Sequence, residues 1–328
     1  MIGQTDRRRT SSTKLQTPAT TSYKRAVSAI KRGRSGSCPP FGSTLQDVGE
    51  VALFYGMKLL PADACSGIGA RLGRFAMPRW HKGAIKKARN NLKRLLPTES
   101  KVGHEALLAR NWKNQGRLMT EFSVVRRMAA DARRVEQNGI EHLRDAAGKG
   151  PVILIGLHLG NWELITSVVT GAGLVPGISY DPPRSSARRW IASHIRRQAG
   201  ADLIEPGRAG VRPMLQRLQD GGIVSIFCDE GFRGKIRGPF FDRPPHLGGN
   251  LGLVVRLARR TGARICPVYT IRQGDSARFA FYALPAIELH PGPTSAAQLL
   301  ADVTALNAVI EPVIRANLDQ WYFLDSAL

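Results

Sequence analysis

His158 and Glu163 stand five residues apart in the stretch Gly156-Leu157-His158-Leu159-Gly160-Asn161-Trp162-Glu163. The apolar run Val152–Ile155 precedes it and an apolar helical stretch follows. His158 therefore falls at the carboxyl end of a predicted strand, and Glu163 in the first turn of a helix, where the helix dipole favours an ionised carboxylate. Residues five apart do not face each other along a continuous helix, but across a strand–turn–helix junction they can. Gly160 permits the tight turn, and Asn161 is a predicted N-cap. A carboxylate that accepts from one imidazole nitrogen fixes the tautomer and leaves the other nitrogen free to take a proton. The chemistry this arrangement points to is general-base activation of a substrate hydroxyl, with no protein nucleophile. The residues alone also allow a buried histidine held by a carboxylate for structural reasons.

Competing chemistries lack their signatures. A serine hydrolase needs a G-x-S-x-G elbow, and the nearest string, Gly33–Ser37, has serine in place of the second glycine. His158 has no H-E-x-x-H context. Cys38, Cys65, Cys228 and Cys266 form no C-x-x-C pair, so neither a zinc site nor a disulfide framework is expected. No metal is expected to take part. His194 lies on a predicted helix face, and His246 and His290 have no evident partner in the sequence.

The elements that must position these residues begin near residue 150. Val152–Leu157, Val175–Tyr180, Ile223–Cys228 and Ile265–Ile271 read as buried strands. Asn161–Thr170, Ser186–Ala199, Val211–Asp220 and Leu247–Thr261 read as helices, with Gly200, Gly221 and Gly262 at their expected ends. This alternation predicts an α/β fold with a central, mostly parallel sheet flanked by helices. In such sheets reactive groups gather beyond the carboxyl ends of the strands. Residues 44–134 read as helices and form a predicted membrane-associating region, with 135–328 as the α/β domain. Ile68, Leu72 and Phe75 recur at helical spacing beside Arg71, Arg74 and Arg79, which suits either a helix in a membrane interface or one packed on the core.

The net charge of +23 on 328 residues calls for an acidic partner. Residues 1–43 hold nine Lys/Arg against Asp6 alone, a surplus of +8, and read as a disordered basic tail. The remaining +15 makes the rest of the chain basic in its own right. Nucleic acid is not the expected partner, because there is no zinc-finger spacing and the few aromatics are not interleaved with the basic runs. The expected partner is an anionic membrane surface, with an acidic carrier protein as a second. No clean spanning helix is expected: the best candidate, Val48 to Leu60, is interrupted by Glu50 and Lys58. Nor is a signal peptide expected, because the basic start has no apolar core.

The string H-L-G-N-W-E resembles the H-x-x-x-x-[DE] box of glycerolipid-type acyltransferases. In its G-N-W-E form it is similar to the lipid A biosynthesis acyltransferases, which add lauroyl or myristoyl chains. The likeness runs from about Gln46 to Leu324. Its other blocks are Leu60-Pro61, Ala88–Leu92 leading to Leu96-Pro97, Asn138–Glu141, Pro239-Phe240-Phe241, Ala258–Pro267 and Gln320–Leu324. The resemblance implies a fatty acyl chain moved from an acyl-carrier-protein or CoA thioester to a hydroxyl of a lipid A precursor or related glycolipid. It implies no cofactor beyond that co-substrate. His158 becomes the base and Glu163 its orienting carboxylate, with Asn161, Arg196 and Asp229 as substrate-binding positions. Arg196, four residues before Gly200, is placed to meet a phosphate or the thioester end of the donor. It competes with Arg188, Arg189 and Arg197, and Asp229 serves equally well as a structural cap.

The expected place is the cytoplasmic face of a bacterial inner membrane, peripheral or weakly anchored. Two departures bear on the acceptor. Tyr180-Asp181-Pro182 stands where the family has Tyr-Arg-Pro. Leu324-Asp325-Ser326-Ala327-Leu328 stands where it has Trp-x-x-His-Arg-Arg-Trp. A different glycolipid or phospholipid acceptor, or a basic peripheral membrane protein without activity, is the alternative reading.

Overall fold

Short runs of β-branched and apolar residues bounded by glycine and proline give nine strands among the described residues, and seven of them form one sheet. The computed structural model describes residues 45–328 except 184, 233–234 and 290–294. The basic tail expected over 1–43 lies outside the described residues. The sheet strands are β1 (Val135–Asn138), β2 (Val152–Gly156), β3 (Pro176–Ser179), β4 (Asp202–Ile204), β5 (Ile223–Phe227), β8 (Arg264–Arg272) and β9 (Phe279–Ala283). Their order is β1-β9-β8-β2-β5-β3-β4. Every neighbouring pair is parallel except β8 with β9. Gly231–Phe232 (β6) and Lys235–Ile236 (β7) form a separate two-stranded ribbon.

The central strand β2 is buried along its whole length, as expected for a parallel strand covered on both faces. The predicted α/β class holds, and the four predicted strands and four predicted helices appear within a few residues of their expected bounds. β1, β4 and β9 are additions. They are short, and β9 owes its place to pairing with β8 and β1 rather than to a pattern of its own.

Among the described residues five helices precede β1: α1 (Leu45–Lys58), α2 (Ala62–Trp80), α3 (Lys82–Leu95), α4 (Lys101–Glu121) and α5 (Val125–Ala130). They belong to the same compact unit as the sheet. α2 and α4 cross closely because small residues meet at the contact. A Cβ added at Gly73 would lie 2.1 Å from the Trp112 carbonyl, and one at Gly116 2.1 Å from that of Gly69. On α2, Leu72 and Phe75 are exposed while Ile68 is half-buried, so the lower part of the predicted stripe faces outward rather than into the core. On α1, Leu45 and Leu53 are also exposed, as is Leu59 just after it.

The helices interleaved with the sheet are α6 (Ile140–Lys149), α7 (Glu163–Gly171), α8 (Ser186–Gln198), α9 (Arg208–Gln219), α10 (Asn250–Thr261) and α11 (Ala296–Ala316). Among the described residues α11 alone is long and apolar enough to cross a membrane, judged by length and composition. Val303, Leu306, Ile310 and Ile314 on it are fully buried in the main core, and Asp302 pairs with Arg259 of α10 at 2.5 Å. That stripe is what a helix laid on a core requires.

Candidate active site

The sheet register brings His158 and Asp229 together. β2 and β5 are parallel neighbours with Gly156 opposite Phe227, so the residues two past each strand end meet at the carboxyl edge. The imidazole Nδ1 of His158 lies 2.8 Å from Asp229 Oδ1, and the His158 backbone N–H donates to Asp229 Oδ2 at 2.8 Å. Asp229 is completely buried, whereas 19% of the His158 side chain is exposed. With Nδ1–H donating to the carboxylate, Nε2 is the nitrogen left to accept a proton. Phe227 and Trp162 pack on the imidazole at ring-centre distances of 4.4 and 4.8 Å. They give the imidazole an apolar wall that limits water around it.

Glu163 does not orient His158. It begins α7 as expected, but both its oxygens face Arg196 of α8: Nη2 donates to Oε1 at 2.6 Å and Nε to Oε2 at 3.0 Å. The Trp162 indole also donates to Oε1, at 3.1 Å. The fork of a guanidinium matches a carboxylate in this two-point way. Burial opposes the charge of Arg196, yet the Glu163 carboxylate outweighs it and raises the guanidinium pKa. Arg196 also lies over the Tyr180 ring, 4.7 Å from its centre. Its charge is thus committed to Glu163 rather than held out for a phosphate, and Nη1 alone is enclosed without a partner.

Asn161 is also turned inward. α7 starts at Glu163 and carries no side-chain cap. The Asn161 amide instead donates to Glu121 Oε2 of α4 at 3.0 Å, and the residue is fully buried. Glu121 is paired with Arg272 of β8 at 2.7 Å, both side chains being sealed from solvent. Gly160 adopts φ +56, and a Cβ there would sit 2.6 Å from the Thr270 carbonyl. The turn that carries His158 is therefore bolted to β8 and α4.

Of the five residues expected at the site, His158 and Asp229 are joined directly. Glu163 and Arg196 form a second pair between α7 and α8, and Asn161 supports the turn from behind. Sequence reasoning missed Trp321, whose indole donates to Asp229 Oδ2 at 3.0 Å. The block Gln320–Leu324 marked the segment but nothing in it pointed to Asp229. It also missed Glu230, half-buried beside Asp229, whose carboxyl is pushed up to about 7, chiefly by burial and further by the Asp229 charge. Cys228 is fully buried and its thiol is raised by that burial, which makes it inert. Among the described residues no group of His, Cys, Asp and Glu is arranged to hold a metal ion.

Beside the site, a cavity of about 680 Å³ opens between the carboxyl ends of β3 and β5 and the helices α9 and α10. Ile226, Met214 and Leu253 line it, with Arg208, Arg237 and Arg256 among its walls.

A mostly parallel sheet with a His–Asp pair at its carboxyl edge, backed by apolar rings, has its polar groups where α/β enzymes carry their sites. Comparison with protein families matches residues 48–328 to the bacterial lipid A biosynthesis acyltransferases. The chain belongs to this family, and its activity is acyl transfer. No match is found among curated proteins.

Proposed function

We propose that the protein transfers a fatty acyl chain from a carrier-protein or CoA thioester to a hydroxyl of a lipid A precursor, with His158 as general base. The observation that carries this reading is the His158 Nδ1–Asp229 Oδ1 contact of 2.8 Å beneath a partly exposed imidazole. Nε2 takes the proton of the acceptor hydroxyl as its oxygen attacks the thioester carbonyl. The tetrahedral oxyanion collapses, the C–S bond breaks, and the imidazolium returns the proton to the thiolate. Asp229 steadies the imidazolium in between. No acyl-enzyme forms.

The cavity beside the site suits the donor. Its apolar wall matches an acyl chain, and Arg208, Arg237 and Arg256 match the phosphate of a pantetheine arm. The outward aromatic and aliphatic side chains of α1 and α2 suit a cytoplasmic membrane surface. Lys58 lies over the Phe54 and Tyr55 rings, and Arg79 over Phe75, 3.8 Å from its centre. These cations stand where anionic headgroups would meet them.

The decisive experiment is acyl transfer by His158→Ala in isolated membranes, with lipid A analysed by mass spectrometry. Loss of one acyl chain from lipid A, with membrane association retained, is the expected result. Transfer at the wild-type rate would overturn the role of His158, and a change confined to another glycolipid would overturn the acceptor.

A further inference from the structure

Three donors converge on the buried carboxylate of Asp229. Two belong to His158, and the third is the indole of Trp321, 92 residues further along the chain. The segment that carries Trp321 also holds His158 from its other side. The Tyr322 backbone N–H donates to the His158 carbonyl at 3.0 Å. The Phe323 ring stands edge-on to the imidazole at 5.0 Å.

This segment is a strap fixed by amide side chains rather than by strand pairing in the main sheet. Asn111 of α4 donates to the carbonyls of Leu318 at 3.2 Å and Trp321 at 2.9 Å. Asn91 of α3 donates to those of Leu324 at 2.8 Å and Ser326 at 2.6 Å. Gln320 accepts from the Arg272 backbone N–H at 2.7 Å and donates to its carbonyl at 3.1 Å. Asn91, Asn111 and Trp321 are all buried. Trp321 packs on Phe241 with ring centres 5.5 Å apart. Phe241 itself has φ +63, a left-handed conformation that a bulky residue adopts only when its surroundings enforce it. Buried polar groups so fully paired define one arrangement of the strap.

From this convergence we infer that Trp321 is a positioning residue for acyl transfer, its indole N–H holding Asp229 Oδ2 so that Oδ1 faces His158 Nδ1. The inference rests on the reading of His158 as the base. Trp321 touches neither the imidazole nor any space open to substrate, so it acts only through Asp229. Without the indole donor the carboxylate keeps the His158 contacts but loses the one bond that comes from outside the pair. It is then free to turn about its own Cβ–Cγ bond, and the imidazole turns with it.

The test is Trp321→Phe in the full chain, which removes the N–H and keeps an aromatic ring against Phe241. We expect kcat to fall roughly 10- to 100-fold with little change in KM for donor or acceptor. We also expect the Nδ1 proton resonance of His158, identified by its absence in His158→Ala, to move upfield and broaden. Should Trp321→Phe fail to fold, Asn111→Ala, which frees the strap carbonyls, is expected to move the same resonance in the same direction. An unmoved resonance would overturn the inference, as would activity lost only in proportion to the folded fraction. If instead His158→Ala transfers at the wild-type rate, the base assignment fails. A moved resonance in Trp321→Phe would then show that the indole still governs the pair, so the two failures are distinguishable.

Discussion

His158–Asp229 and Glu163–Arg196 both draw on the short segment that follows β2, and they differ in how much they leave open to solvent. His158–Asp229 has one partner completely buried and the other partly open to solvent, with a nitrogen left over. Glu163–Arg196 is closed on itself: two hydrogen bonds join the partners, and only 2% of the carboxylate side chain is exposed. A pair that moves a proton needs an unsatisfied atom facing substrate. A pair that fixes structure closes most of its polar atoms on each other, because in a low-dielectric setting every unmet polar group costs free energy, as the single enclosed Nη1 of Arg196 does. Position in the chain does not separate them, since His158 and Glu163 come from one short motif. What separates them is which strand or helix delivers the partner.

The largest expected effect breaks the first pair. Asp229→Asn keeps the shape but leaves the imidazole tautomer unfixed, and kcat should drop roughly 100- to 10,000-fold with the fold intact by circular dichroism. If Glu163→Gln gave that collapse and Asp229→Asn did not, the two roles would have to be exchanged. Arg196→Met should instead destabilise the fold by about 3–5 kcal/mol, because it strands a buried carboxylate. Adding Glu163→Gln to it should recover part of the loss. A double-mutant cycle in chemical denaturation measures the coupling.

Glu230 sharpens the contrast, as a carboxyl that accepts from the Asn250 backbone N–H at 3.0 Å at the start of α10. It titrates at about 7 in the fold against an ordinary 4.5, mainly because of burial. The fold therefore favours its protonated form. The stability this gives is in place below about pH 4.5 and is lost as pH rises through about 7. Glu230→Gln has no such loss, so its advantage over wild type should grow across that window to at most about 3 kcal/mol above pH 7. Denaturant midpoints between pH 4 and 8 would show the trend, and a flat difference would refute it. The smallest effect is expected from Asn161→Ala, which removes one donor from Glu121. A stability loss of about 1–2 kcal/mol with kcat nearly preserved fits its inward position. A rise in KM without loss of stability would return Asn161 to the substrate side.

Much of the fold could be read from residue patterns. The runs at Val152, Val175, Ile223 and Ile265 alternate with helical stretches because a sheet buried on both faces demands continuous apolar strands. β9 was not legible in the same way, because a five-residue strand owes its pairing to β8 and β1. At the site, His158 was legible from its place after β2. Asp229 was legible only as a site position and not as the partner of His158. The choice of Glu163 followed chain proximity, whereas the strand order places β5, and with it Asp229, beside β2.

The sequence by itself determined that a histidine would stand at the carboxyl end of a buried strand, followed by a glycine turn and a helix led by a carboxylate. Those features depend on local backbone preferences and apolar periodicity, which act over a few residues. Only the tertiary structure decided which carboxylate meets His158, that Arg196 meets Glu163 instead of a ligand, and that Trp321 reaches Asp229 from the far end of the chain. Those contacts depend on sheet order and on hydrogen bonds between residues tens of positions apart. Spacing along a chain carries no record of them.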